Sequence, residues 1–286
     1  MIREELIANL ERRARILRAI RSFFDERGFI EVETPVRIAA PAPEPHIDCP
    51  VVPAAEGANQ TTYLRASPEL QMKKLLADGL RQIYQIGPCF REGERGRRHN
   101  PEFTMIEWYR KNATYLDIAK DAEDLLSSLD PEKRAFQRLT VREAYRTYAG
   151  WDPWTAWDQD RFDYDMATKI EPNLPRTPVF LMDYPPQAAS LAKLRGDVAE
   201  RWELYVEGIE LANCFTELCD EAEQRRRFLA AKAERRTLGE ADYPIDEEFL
   251  AKLPRMESAS GVALGIDRLV MLLCGAKDIS AVMVPE

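Results

Sequence analysis

Strand-like segments follow one another in the second half of the chain. The runs PVFLMDYP, RWELYVEG, IELANCFTEL and SGVALG succeed each other there, and only one charged helical segment separates the last two. A doubly wound parallel sheet would need a helix after nearly every strand, and the chain has no such regular alternation. The order of segments therefore predicts an α+β fold in which helices flank an antiparallel sheet.

Helical segments are marked by apolar spacing and by residues that begin or end helices. Leu6, Leu10 and Leu17 recur at near-helical spacing, and Gly28 follows as a C-terminal stop. Thr114 and Asp117 have the spacing of a capping box. Helices are predicted over about 4–27, 68–79, 115–129, 221–237 and 266–275.

Two stretches lack clear periodicity. Residues 38–62 contain five prolines and predict a loop, because apolar strand-like pieces follow at once. Residues 130–176 are rich in Trp, Asp and Pro and predict a peripheral insertion. We expect one catalytic domain over residues 1–286 that carries this insertion.

Composition excludes several classes of protein. The net charge of -9 argues against a chain that mainly wraps a nucleic-acid backbone, although a local basic patch is still allowed. Only two histidines are present, so a histidine-rich metal site is nearly excluded. The charged N-terminal segment and the five cysteines, with no C-x-x-C, predict a cytoplasmic protein with reduced thiols.

An arginine-rich loop joins two strand-like segments at residues 90–103, FREGERGRRHNPEF. Its arginines can bind phosphate oxygens in pairs, and an aromatic residue on the returning strand can stack on a base. A solvated charged loop is the alternative. Taken alone, the hairpin indicates an anion site and does not establish one.

The segment SGVALGIDRL places Gly261 and Gly265 around a strand and Arg268 at the start of the next helix. Glycine lets a ligand approach the backbone, and arginine can bind a terminal phosphate. The segment is neither a G-x-G-x-x-G fingerprint nor a Walker loop, which excludes the common nucleotide folds. The alternative is that the glycines allow tight packing and Asp267 caps the helix.

These two segments, preceded by a helix, a strand and Pro35, resemble motifs 2, 3 and 1 of the class II aminoacyl-tRNA synthetases. The runs SPELQMKKLL, RRHNPEFTMIEWYR and ELANCFTEL are similar to the catalytic core of lysyl-tRNA synthetases. The chain begins almost directly at the motif 1 helix, without the anticodon-binding domain of those enzymes. In this it is similar to lysyl-tRNA synthetase paralogues that attach a β-lysyl group to a lysine of translation elongation factor P.

The resemblance implies ATP-dependent activation of lysine or β-lysine as an adenylate, with Mg²⁺, and transfer to a lysine of elongation factor P. Arg91 would hold the α-phosphate and the reacting carboxylate, and Arg268 would hold the γ-phosphate. Phe103 would stack on adenine. The implied ATP-binding set is Arg91, Glu92, Glu94, His99, Asn100, Phe103, Glu210, Leu211, Gly265 and Arg268.

The implied amino-acid pocket comprises Ser67, Pro68, Glu69, Glu107, Tyr109, Asn213, Phe215, Glu217 and Ala263, and the implied magnesium ligands are Glu203 and Glu210. Independently of the resemblance, binding of a diamino acid requires at least two pocket carboxylates, because its two ammonium groups are costly to bury unpaired.

Strand parity predicts which of these side chains converge. Phe103, Met105, Glu107 and Tyr109 share one face of the run EFTMIEWYR. Asn213, Phe215 and Glu217 likewise share a face of the run IELANCFTEL. Glu210 has the wrong parity for that face, so it either requires a bend or points elsewhere.

The sequence departs from the lysyl-tRNA synthetase pattern at three positions. Gly93 stands where motif 2 normally has glutamate, which leaves open whether Glu92 or Glu94 contacts adenine. Cys214 replaces a glycine. Ala263 also stands where those enzymes have glycine, a change that the elongation factor P-modifying paralogues share.

Two alternatives stay open at the level of the sequence. One is a minimal lysyl-tRNA synthetase that charges tRNA or a small acceptor. The other is an inactive regulatory paralogue, against which the intact set of Arg91, Glu69, Glu107, Glu217 and Arg268 speaks. The resemblance also implies a homodimer formed through motif 1. The missing anticodon-binding domain and the net charge of -9 predict no stable tRNA binding, and the lack of a long apolar run predicts no membrane association.

Overall fold

A computed structural model describes residues 4–54, 61–130, 132 and 134–284. The chain divides into two units. The first comprises Met1–Lys111, Cys219–Ser258 and Leu264–Glu286, and the second comprises Asn112–Leu218 and Ala259–Ala263. None of the described helices has the length and apolar character needed to cross a membrane.

The described chain contains helices and strands in mixed order. The helices are α1 (Glu4–Asp25), α2 (Glu69–Ala77), α3 (Tyr115–Leu129), α4 (Val141–Ala144), α5 (Gln159–Asp165), α6 (Glu221–Leu238), α7 (Glu247–Lys252) and α8 (Ile266–Cys274). The strands are β1 (Ile30–Glu31), β2 (Arg37–Ile38), β3 (Val51–Val52), β4 (Thr62–Leu64), β5 (Gln82–Phe90), β6 (Glu102–Lys111), β7 (Gln137–Thr140), β8 (Val179–Tyr184), β9 (Leu194–Arg195), β10 (Val198–Val206), β11 (Ile209–Thr216) and β12 (Ala259–Gly265).

In the first unit, β5 and β6 form a long antiparallel hairpin and β1 pairs with β5 in parallel. Taken separately, the runs RQIYQIG and CFRE predict two short strands, but β5 is continuous. The strand does not stop at Gly87 and Pro88, because pairing with β6 continues through Phe90. The Pro-rich segment predicted as a loop contributes a small sheet of order β2-β4-β3.

Aromatic packing fixes helix α1 on this hairpin. The ring of Phe24 is stacked on Tyr84 at a centroid distance of 4.8 Å and contacts Trp108 at 5.2 Å. Gly28 follows the helix with a φ of 75°, the left-handed conformation that glycine adopts without strain. The predicted start of the fold, a helix stopped by Gly28, is therefore confirmed.

In the second unit, the sheet order is β12-β11-β10-β8-β7, and β9 pairs with β10. The β8, β9, β10 and β11 pairs are antiparallel, and β7 pairs with β8 in parallel at the edge. The prediction of an α+β fold with a mainly antiparallel sheet is confirmed. Helix α3 begins with the predicted capping box at Thr114 and Asp117.

The segment predicted as an insertion supplies part of the core of the second unit. Val141, Tyr145 and Phe162 are buried in one apolar cluster with residues of β8 and β10. The rings of Tyr145 and Phe162 are stacked at 4.7 Å. Aromatic side chains hold this segment in place although its sequence lacks a clear period. The expectation of a single domain with a peripheral insertion stays a prediction.

Candidate active site

A buried carboxylate lies at the centre of the candidate site in the first unit. Glu107, on β6, is fully buried, and its oxygens accept hydrogen bonds from Ser67 Oγ at 2.6 Å and Tyr109 Oη at 2.7 Å. Glu107 and Tyr109 share a strand face, as their parity predicted. Ser67 Oγ also accepts from the backbone N–H of Glu69 at 3.0 Å, so this hydroxyl links β6 to the start of α2 just after Pro68.

The surroundings of Glu107 make its charge costly. Burial, and secondly the nearby charge of Glu69, raise the pKa of Glu107 to about 7, against the opposing hydrogen bonds from Ser67 and Tyr109. A cation placed beside this carboxylate would favour its ionised form. The pocket is therefore suited to an ammonium group.

The Glu69 carboxylate already has a cationic partner. Lys73, one turn later on α2, forms an ion pair with Glu69, and only 2% of the lysine side chain is exposed. The i,i+4 spacing brings the two side chains together on one helix face. Lys73 was not among the predicted site residues, although its i,i+4 spacing from Glu69 indicates the pair.

The β5–β6 hairpin carries the predicted phosphate arginine. The guanidinium of Arg91 lies 5.1 Å from the centroid of the Phe103 ring, and its Nη1 is 3.4 Å from Glu94 Oε1. Its Nε is buried and has no hydrogen-bond acceptor among the described residues. Arg91 therefore keeps donor capacity beside the ring predicted to stack on adenine. Glu92 is exposed, so Glu94 is the carboxylate in contact with Arg91.

Arg268 meets the other end of the same hairpin. Its Nη2 lies 2.7 Å from His99 Nε2, and its Nε donates to the carbonyl of Arg98 at 3.3 Å. Burial, followed by the charge of Arg268, lowers the pKa of His99. A guanidinium can only donate, so the imidazole accepts in its neutral form. The structure thus brings together His99 and Arg268, two members of the implied ATP-binding set.

Residues next to Arg268 hold helix α8 on the hairpin. Asp267 is buried, pairs with Arg13, and accepts from the backbone N–H of Thr104 at 2.6 Å. It does not cap the helix, because Gly265 is the N-cap residue. A Cβ at Gly265 would lie 3.7 Å from the Arg268 side chain, which is an ordinary van der Waals contact, so the packing of Arg268 does not by itself require glycine. Asn100 Nδ2 donates to the carbonyl of Glu102 at 2.6 Å.

The other predicted site residues lie in the second unit, where β11 contains a bulge. Tyr205 pairs with Glu210, but the preceding Leu204 pairs with Ala212, so Leu211 is the extra residue. A bulge shifts the alternation of side chains by one position. Glu210 therefore comes into phase with Asn213, and both are half-buried while Leu211 and Ala212 are buried. This bulge is the bend that the parity of Glu210 required.

Glu203, on β10 opposite Asn213, is enclosed by donors. Arg201 Nη2 donates to its Oε1 at 2.6 Å, while Tyr184 and Tyr205 donate to its Oε2 at 2.6 and 2.8 Å. A magnesium ion would have to displace these groups, so Glu203 as placed does not fit metal ligation. No cluster of three or more His, Cys, Asp or Glu side chains suited to a metal occurs in the described part of the chain. The magnesium assignment of Glu203 and Glu210 stays a prediction.

Arg201 connects this carboxylate to two predicted pocket residues. Its Nε donates to Asn213 Oδ1 at 3.3 Å, and its guanidinium lies 5.6 Å from the centroid of the Phe215 ring. The contact turns the amide of Asn213 so that its NH₂ group faces away from Arg201. Arg201 was not among the predicted site residues, because an isolated arginine on a strand carries no local signal.

Glu217 follows the end of β11 and is 2% exposed, with its backbone N–H bonded to the carbonyl of Ala259 at 2.9 Å. Burial, and next the charge of Glu217, raise the pKa of the Cys214 thiol well above its usual range. Cys214 is therefore an inert packing group. Ala263 is half-buried on β12.

The chain is similar to known proteins over almost its whole length. A family model described as tRNA synthetases class II (D, K and N) matches residues 1–284. A protein from Proteus mirabilis named elongation factor P (R)-β-lysine ligase is 40% identical, over 97% of this chain and 94% of its own length. Proteins of the same name from Photorhabdus laumondii and Yersinia enterocolitica are each 39% identical with the same coverage.

Proposed function

Because the chain belongs to the class II tRNA synthetases of the D, K and N group, we propose that it is an ATP-dependent ligase for a lysine-type amino acid. It activates (R)-β-lysine as an adenylate and transfers it to a lysine side chain of elongation factor P. The relatives that carry this name match almost the whole chain. The two alternatives, tRNA charging and an inactive regulator, are not favoured by them.

The observation that carries the proposal is the acidic pocket of the first unit. The Glu107 carboxylate accepts from Ser67 Oγ and Tyr109 Oη, and the charge of the nearby Glu69 carboxylate acts on it. Two ammonium groups on one substrate call for such a pair of acidic partners. A substrate with a neutral side chain would bring no cation to Glu107, whereas Glu69 already pairs with Lys73.

The reaction proceeds in two balanced steps. An oxygen of the substrate carboxylate attacks the α-phosphorus of ATP, and the bond to the β-phosphate oxygen breaks, which yields the adenylate and pyrophosphate. The neutral amine of the acceptor lysine then attacks the adenylate carbonyl, AMP leaves, and the amine loses a proton. No covalent enzyme intermediate is required.

In this proposal the protein acts by positioning and by neutralising charge. Arg91 binds the α-phosphate and the reacting carboxylate, with the free donor capacity of its Nε, and Phe103 stacks on adenine. Arg268 leaves His99 to bind the γ-phosphate. Magnesium would supply further charge neutralisation on the phosphates, although Glu203, enclosed by three donors, does not fit as its ligand as placed.

Mass spectrometry of elongation factor P tests the proposal. The factor is incubated with this protein, ATP and either (R)-β-lysine or α-lysine, and its modifiable lysine is examined for an added residue. We expect modification with (R)-β-lysine and none with the Arg268→Ala variant. A protein that forms adenylate but leaves the factor unmodified, while it charges tRNA, would support the tRNA alternative. A protein that forms no adenylate would support the inactive paralogue.

A further inference from the structure

One buried arginine in the first unit lies outside the site described above. Arg235, in the last turn of α6, has no exposed side-chain surface. Its guanidinium donates to the backbone carbonyls of Glu44 at 2.7 Å and Ile47 at 3.0 Å, and it pairs with the carboxylate of Asp48. All three partners belong to residues 41–50, which we call the anchored loop. Arg235 therefore fixes a segment that has no regular secondary structure of its own.

The same guanidinium also contacts the segment that follows α6. It donates to the carbonyl of Ala241 at 2.8 Å, lies 3.0 Å from Glu240 Oε2, and covers the Tyr243 ring at 4.3 Å. Arg235 is thus in contact with both the anchored loop and the segment that follows α6. A planar guanidinium can serve several acceptors at once, which a lysine ammonium on a flexible stem cannot do with the same geometry.

Tyr243 adds a second connection to the anchored loop. Its hydroxyl donates to Asp48 Oδ1 at 3.2 Å and accepts from the backbone N–H of Cys49 at 2.8 Å. The ring packs with Ile38, Cys49 and Tyr63 in a small buried apolar cluster. Polar and apolar contacts therefore hold the loop in one conformation.

The anchored loop reaches both parts of the candidate site in the first unit. The backbone N–H of Glu92 donates to the carbonyl of Asp48 at 2.8 Å, directly after Arg91. The loop also lines a cavity of about 20 Å³ together with Ser67 and Glu69. Asp48 thus receives Arg235 on its side chain and the arginine hairpin on its backbone.

We propose that Arg235 is a positioning residue for adenylate formation, which acts through the anchored loop on Arg91 and on the pocket around Ser67. The inference rests on the proposed function. Burying a charge at this site is weak evidence for a role in stability, since buried ion pairs often contribute little net stabilisation. The many directed contacts instead select one arrangement of the loop against the hairpin. A displacement of about 1 Å at a reacting group can lower a rate by roughly 100-fold.

The test compares Arg235→Met with Arg236→Ala. Arg236 is the next residue of the same helix, is 62% exposed, and pairs with Asp242 on the surface. ATP–pyrophosphate exchange with (R)-β-lysine gives kcat and KM, thermal melting reports folding, and hydrogen exchange reports protection of residues 41–50. We expect Arg235→Met to lower kcat by roughly 10- to 100-fold and to raise the rate of hydrogen exchange in the anchored loop. Arg236→Ala should keep both quantities within about twofold, as is usual for an exposed substitution.

Two further variants keep the test decisive. Asp48→Asn weakens the pair from the loop side without changing its shape, and Tyr243→Phe removes the second connection. If Arg235→Met does not fold, a lowered kcat in folded Asp48→Asn supports the proposal and an unchanged kcat overturns it. A folded Arg235→Met protein with unchanged kcat also overturns it. Absence of ATP–pyrophosphate exchange in the wild-type protein would instead overturn the proposed function. Unchanged hydrogen-exchange protection of residues 41–50 in Arg235→Met would overturn the anchoring itself.

Discussion

Glu107 links substrate charge to protonation at the scale of a single residue. Its pKa is raised to about 7, chiefly by burial, so a fraction of the molecules carries a protonated Glu107 at neutral pH before the amino acid binds. A substrate ammonium favours the carboxylate. Binding of the amino acid is therefore coupled to release of a proton whenever the pH lies below this pKa.

We expect the dissociation constant for (R)-β-lysine to decrease by roughly tenfold between pH 6 and pH 8, as Glu107 becomes ionised. Calorimetry in two buffers of different ionisation enthalpy measures both the affinity and the proton released.

The free energy of unfolding changes with pH in the opposite direction, because the folded chain keeps a proton on Glu107 that the unfolded chain releases above about pH 4.5. The stabilising contribution of Glu107 is therefore present at low pH and is lost as the pH rises through about 7.

The matched control is Glu107→Gln, which keeps the size of the side chain and removes its titration. Its affinity for the amino acid should be lower and nearly independent of pH over the same range. A wild-type pH profile that the variant reproduces would assign the titration to another group.

Arg91 and Arg268 supply a second prediction at this scale. Arg91→Ala and Arg268→Ala should each lower kcat for pyrophosphate exchange by roughly 100- to 1000-fold, the usual effect of removing a group that stabilises developing charge. Exchange kinetics and thermal melting measure the two properties separately. Arg226→Ala on the surface of α6, where the arginine is 69% exposed, is the control. Wild-type exchange in either active-site variant would contradict their assigned roles.

At the scale of elements, helix ends and one strand irregularity determine where functional side chains lie. The bulge at Leu211 changes which face of β11 carries Glu210. The capping box at Thr114 fixes the start of α3, and the backbone N–H of the next residue, Tyr115, donates to Thr216 Oγ1 at the end of β11 at 3.0 Å. A hydrogen bond from backbone to side chain therefore connects the start of α3 with the end of β11.

We expect Thr114→Ala to lower the free energy of unfolding by about 1 kcal/mol, because it removes an N-cap acceptor and one half of the capping box. Urea denaturation measures the change. Thr237→Ala, which removes an exposed hydroxyl bonded to its own helix, should change it by less than about 0.5 kcal/mol. Equal effects of the two substitutions would show that the capping box contributes nothing specific.

The sequence predicted those features that depend on local periodicity. Helix α1 with its stop at Gly28, the shared face of Glu107 and Tyr109, and the capping box of α3 all follow from spacing. It could not place the bulge at Leu211, because a bulge depends on the partner strand. The Arg235 contacts to Glu44 and Ile47 join residues 191 and 188 positions apart, and no local pattern indicates them.

At the scale of the whole molecule, net charge governs which partners approach. The chain carries a net charge of -9, so its average field repels a polyanion. Affinity for RNA depends on the number of phosphate charges that a protein neutralises. The arginines of the hairpin form a local exception.

We therefore expect tRNA lysylation at physiological salt to be at least roughly 100-fold slower than modification of elongation factor P. Acid-precipitable labelled lysine on bulk tRNA measures the first rate, and mass spectrometry measures the second. Lowering the salt to about 20 mM distinguishes weak binding from absent chemistry, since screening is then reduced. Efficient lysylation of bulk tRNA at physiological salt would contradict this prediction.

Before substrate binds, Lys73 serves as the counter-ion of the Glu69 carboxylate. If a substrate ammonium pairs with Glu69 as proposed, it must displace the Lys73 ammonium, much as one cation displaces another on an ion exchanger. The tether keeps the lysine ammonium at a high effective concentration, so a stray sodium ion or simple amine competes poorly for the carboxylate. Only a ligand that gains contacts elsewhere in the pocket can complete the exchange, and selectivity then arises from competition inside the protein.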